Sequence, residues 1–167
     1  MREILKTFAS QAGLLPPSFT NWDFTTFSDK KACASVIEYF TKSVPDATLD
    51  FGHLRVLSPI HLQQENTELI PGCETSPHGI ITIAATDSGD SIGVDIASGI
   101  VYLVDHAKFE DDMISMGWKP DMSGFLDPIP ITHDNIILVC EVHWPDIRSA
   151  TISILENPDL DNGAPVL

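Results

Sequence analysis

An α+β domain built on a central antiparallel sheet is the fold this sequence predicts, and three observations predict it. Residues 80–85 (IITIAA), 91–96 (SIGVDI) and 100–104 (IVYLV) are short, apolar and rich in β-branched side chains, the composition of strands. Only TDSGD (86–90) and ASG (97–99) separate them, which is room for tight hairpins and nothing larger. Ahead of them the apolar residues recur at helical spacing. The expected architecture is therefore a hairpin meander with the N-terminal helices packed on one face of the sheet.

Each element follows from local chemistry. Ile4, Leu5, Phe8 and Ala12 give a helix over 2–12. Gly13 suits its C-cap, and Pro16-Pro17 prevents continuation. Ala32, Val36, Tyr39 and Phe40 give a second helix over 29–43, opened by Ser28 and Asp29 and stopped by Pro45. His53 to Leu57 is a short strand. Ser58-Pro59 opens a helical turn through Gln64, with proline at the first helical position. Residues 66–79 are turn-rich and read as a surface loop. A helix over 107–116, with Asp105 near its start, turns Met113, Ile114 and Met116 inward. Residues 118–134 hold Pro120, Gly124, Pro128 and Pro130 and read as loop. Residues 135–143 and 150–155 have strand composition, although the first also suits a helix. Residues 157–167 read as a frayed, flexible tail of a single domain spanning 1–167.

Charge is unevenly placed. The chain carries a net −15. Residues 74–167 hold 16 acidic and 3 basic side chains, a net −13, against −2 for residues 1–73. Nucleic acid and anionic membrane repel such a surface, whereas a basic protein is attracted to it. The three cysteines, Cys33, Cys73 and Cys140, are widely spaced and form no CxxC pair, which fits reduced thiols in a cytosol. The start, MREILKTFASQAGLLPP, lacks the apolar core of a signal peptide, and no apolar stretch approaches a membrane span.

Catalytic motifs are weak. Gly89-Asp90-Ser91 resembles the nucleophile block of GDSL-type esterases, but the one Asp-x-x-His, Asp50 to His53, lies upstream of it. Gly89 and Asp90 are better assigned to a hairpin turn, with Gly99 in the next one. Six histidines form no HExxH and no zinc-spaced pair. Asp105-His106 is placed to join Asp95 in space. Glu110-Asp111-Asp112 is a solvated run near a helix start rather than an acid/base pair. The sequence predicts no catalytic residue, no cofactor and no metal.

The segment 86–106, TDSGDSIGVDIASGIVYLVDH, resembles the core signature of the SUKH superfamily. Gly89-Asp90 closes the first turn, Ile92 to Asp95 forms the next strand, and Gly99 turns into Val101-Tyr102-Leu103 and the acidic-His pair Asp105-His106. LLPPSF (14–19) resembles the family's Leu-Pro-Pro element, and LRVLSPIHL (54–62) its strand-then-turn element. The chain departs in lacking the Asn-Gly-Gly after the second helix and a Phe-containing terminal helix. The resemblance implies an α+β protein. Many relatives of that kind are bacterial immunity proteins that neutralise toxins, and others are regulators. The expected function is thus a non-enzymatic, acidic, cytoplasmic protein-binding domain. Its expected partner is a basic toxin, a nuclease being one kind, with no nucleic acid or membrane ligand. A regulatory interaction domain without a toxin is the alternative, and a hydrolase using Ser91 stands third. Phe109, Glu110, Asp111, Asp112, Trp118 and Asp121 are the expected partner-binding residues. Gly89, Asp90, Asp95 and Gly99 are the expected structural turn residues.

Overall fold

The computed structural model describes residues 1–27, 30–118 and 130–156. Ser28, Asp29, Asp121, the segment 157–167 and most of the expected loop 118–134 lie outside them.

A six-stranded antiparallel sheet forms the centre, with strands in sequence order: β3 (Leu49–Asp50), β4 (Leu54–Val56), β5 (Ile80–Thr86), β6 (Ser91–Asp95), β7 (Val101–Val104) and β8 (Glu141–Trp144). A two-stranded ribbon, β1 (Phe19–Thr20) with β2 (Val44–Pro45), stands beside it. The predicted meander is present. Ile81 faces Val94 and Ile92 faces Leu103 across antiparallel ladders. Gly99, at φ 83°, makes the β6–β7 turn.

Alternation along these strands gives the sheet two apolar faces, and different helices cover each. On one face Ile81, Ile83, Ile92, Val94 and Val101 share a core with α1 (Arg2–Gln11), α2 (Ala34–Lys42) and α7 (Ile147–Glu156). Leu5, Val36, Tyr39, Phe40, Ile147, Ala150 and Ile154 are the buried residues those helices supply to it. Trp22 and Phe24 extend this core against Phe40, Trp22 tilted with its ring centroid 5.3 Å away and Phe24 stacked at 4.6 Å. On the other face Ile80, Tyr102 and Val104 pack with α5 (His106–Ser115), Trp118 and α6 (His133–Leu138).

Four expectations change. Residues 66–79 are not an open loop. After α3 (Pro59–Thr67) they form α4 (Gly72–Thr75) and a 3₁₀ turn, Ser76–His78. Polar side chains there bond inward: Thr75 Oγ1 donates to Ile80 O and Ser76 Oγ to Asn66 O. Residues 135–143 divide into the end of α6 and the start of β8. Thr132 caps α6 by accepting from Asn135 N, and burial of Ile136 against the α5 core overrides strand propensity. Residues 150–155 belong to α7, not to a strand. Ile147, Ala150 and Ile154 are one helical face, and Asp146 Oδ1 accepts from Ser149 N at 2.7 Å. α2 starts at Ala34 rather than 29, because Cys33 is extended and its N–H donates to Ile96 O at 2.7 Å.

Candidate functional site

Register decides which polar residues meet. Ser91 pairs with Val104, so the residues following β7 land beside Asp90 at the start of β6. Asp95 sits at the far end, paired with Ile80. Asp105-His106 therefore joins Asp90 and not Asp95, correcting the expectation from sequence. Two Asp–His pairs result, one at each end of β6.

At the first end, Gly89 has φ 97° and lies under the His106 ring. Asp90 is a hub. Its Oδ1 accepts from His106 N at 3.0 Å and stands 3.0 Å from His106 Nδ1. Its Oδ2 accepts from Ser88 Oγ at 2.8 Å. Burial opposes its charge, yet the hydrogen bonds from His106 and Ser88 outweigh burial and hold its pKa below the usual carboxylate value. Asp105 Oδ1 caps α5 by accepting from Ala107 N and Lys108 N, while its Oδ2 pairs with Lys108 at 3.0 Å. Burial likewise opposes its charge, and the Lys108 bonds overcome it. Asp90, Asp105 and His106 place ligand atoms within 4.8 Å of one another, the spacing of a cation site. The same two carboxylates also fix the β5–β6 turn and the start of α5. Gly89 takes the positive φ of the β5–β6 turn, and Asp90 accepts from the Ser88 hydroxyl and the His106 backbone.

At the second end, the pairing of Asp95 with His133 was not legible in the sequence. Asp95 is 3% exposed. It accepts from Ala97 N at 3.1 Å and Ser98 Oγ at 2.6 Å, holding the β6–β7 turn that Gly99 makes. His133 Nε2, on the first residue of α6, reaches to 3.3 Å from Asp95 Oδ1. That nitrogen is enclosed and forms no hydrogen bond among the described residues. Around the pair, burial lowers the pKa of His78, with Lys30 and His133 adding to the effect and Glu74 opposing it. Burial, then the Asp95 charge, raises that of Tyr102. Cys140, packed nearby in the α5–α6 core, is pushed up to about 12 by burial. The pair ties α6 to the sheet.

The expected partner-binding residues separate into three groups. Glu110 and Asp111 are exposed on α5, and Asp112 is half-buried. Phe109 (1% exposed) and Trp118 (6%) are core residues under α5, which corrects their assignment as surface anchors: the helix must bury its apolar stripe on the sheet. Asp121 lies outside the described residues. Met116, expected to pack inward, is 47% exposed, because it caps the C-terminus of α5 beyond the reach of the sheet. Ser91 Oγ is enclosed and makes no hydrogen bond among the described residues, so it has no contact with a base of the kind a serine nucleophile uses. No helix among the described residues is long and apolar enough to cross a membrane. No protein family, curated protein or solved structure matches the chain.

Proposed function

We propose that this chain works by binding a basic protein and not by catalysis, and that it is a cytoplasmic immunity protein neutralising a toxin. One observation carries the reading. Residues 74–167 hold a net −13 of the total −15, and α5 turns Glu110 and Asp111 to solvent. A basic partner approaching this surface is accelerated by the field, because complementary charge raises the encounter rate more than it deepens the final contact. The resemblance to the SUKH superfamily supports the toxin. A nuclease is basic where it meets its anionic substrate, so an acidic inhibitor competes for that surface. The enclosed Ser91, with no hydrogen-bonded base among the described residues, supports binding over chemistry.

The test is to isolate the partner from the native host at low salt and measure association kinetics. The association rate should fall steeply with added salt while dissociation changes little. Changing Glu110, Asp111 and Asp112 to neutral amides should slow association and flatten the salt dependence. An acidic partner, or rates indifferent to both salt and these substitutions, rejects the reading.

A further inference from the structure

We infer that the basic partner is anchored by two apolar side chains, Met116 of the α5 C-cap and Leu138 of α6, each set one helical turn after an acid. The inference rests on the basic-protein reading above and adds the contact surface. Seven large apolar side chains are exposed among the described residues. Met116 and Leu138 are the two that close a helical turn begun by an acid. Met116 N donates to Asp112 O at 3.0 Å. Leu138, 68% exposed, ends the α6 turn that Asp134 begins, and the Asp134 side chain is 98% exposed. Residues four apart on a helix share one face. Both helices therefore present an acid beside an apolar residue, and they rest on one buried cluster through Phe109, Met113 and Ile136.

The chemistry of the occupant follows. Residues 106–118 and 130–141 hold five carboxylates and one lysine, and that lysine, Lys108, is paired with Asp105 and Glu141. A surface of this charge fits a polypeptide whose cations are interleaved with apolar side chains. Carboxylates steer it, and the thioether and isobutyl groups exclude water once it docks. A purely cationic chain satisfies only the first of these.

The probe is a synthetic helical peptide of leucine and lysine, titrated at low salt into the full chain with methyl-labelled methionine and leucine. Oligolysine of equal charge is the control. The expected result is that the Met116 and Leu138 methyl resonances shift most, and that oligolysine binds more weakly without moving them. The double variant Met116→Ser/Leu138→Ser, which alters only exposed side chains, should keep its fold and lose roughly tenfold in peptide affinity. Shifts centred elsewhere, or a double variant that binds as wild type does, would overturn the anchors while salt-dependent binding leaves the basic-partner reading standing. If neither peptide binds at low salt, the reading fails and the anchors fail with it.

Discussion

Strand β6 has an Asp–His pair at each end, alike in chemistry and unlike in burial and origin. Asp90 and His106 are 16 residues apart, joined by a single hairpin, and the His106 side chain is 46% exposed. Asp95 and His133 come from elements much farther apart in sequence, with side chains 5% and 20% exposed. The first pair is wrapped in hydrogen bonds from its own turn, so losing one partner leaves others and water to compensate. The second is enclosed between sheet and helix, where an abandoned polar group has no water to turn to. Burial rather than distance sets the difference, since Asp90 comes within 3.0 Å of its histidine and Asp95 within 3.3 Å of its own.

The largest effect should therefore come from the Asp95 end. Asp95→Ala removes the carboxylate that stands 3.3 Å from the enclosed His133 Nε2 and releases Ala97 N and Ser98 Oγ from the turn. It should cost about 3 kcal/mol in urea unfolding. Protection of α6 amides from hydrogen exchange should fall at the same time, because the pair is what ties that helix to β6. A loss no greater than that of His106→Ala, an exposed truncation worth about 0.5–1 kcal/mol, would erase the contrast.

The contrast also explains what could be read before the structure. The β5–β6–β7 meander was legible because its information is local: apolar runs of strand length, and glycines where the chain must turn. Asp90 was legible for the same reason, as a turn residue beside Gly89. Its histidine was placed at the wrong end, because only the register Ser91 to Val104 shows that residues after β7 return to the start of β6. The Asp95–His133 pair depends on α6, whose Ile136-Ile137 composition reads as strand. Asn66 is the same case: its amide donates to Thr82 O and accepts from Thr82 N, at 2.9 and 2.8 Å. It plugs the sheet edge where β4 stops at Val56 opposite Ala84, and nothing near it in sequence announces a partner 16 residues on. The acidic surface was legible from charge alone, but not which aromatics it could use, since Phe109 and Trp118 are taken by the core.

The two turn glycines sharpen the comparison at smaller magnitude. Both have positive φ, 97° at Gly89 and 83° at Gly99, where a side chain is strained. Gly89→Ala adds only that strain, because its Cβ would meet the His106 ring at 3.5 Å, an ordinary contact. It should cost about 1 kcal/mol. Gly99→Ala would also press on Cys33 Sγ and Ser35 Oγ, both at 3.1 Å, at the start of α2. It should cost more than Gly89→Ala in the same thermal or urea series. Equal losses would mean that the α2 side gives way freely and that the Asp95 end is no more tightly built than the Asp90 end.

The smallest effect concerns pH and isolates Asp90. Burial disfavours its carboxylate, but the His106 and Ser88 bonds prevail and set its folded pKa below the usual value. A group depressed in this way stabilises the fold above its unfolded pKa, near about 3.9. The contribution is lost as pH falls through the lower folded value, since the unfolded chain takes up the proton first. Wild type should therefore lose stability below about pH 4 more steeply than Asp90→Asn, which has no carboxylate to protonate there. The two stability curves should be farthest apart near neutrality and approach one another as acid is added. Urea midpoints taken across that range measure this directly. Curves that stay parallel would show that Asp90 draws no stability from its charged form, and that its turn is held by the backbone and Gly89 alone.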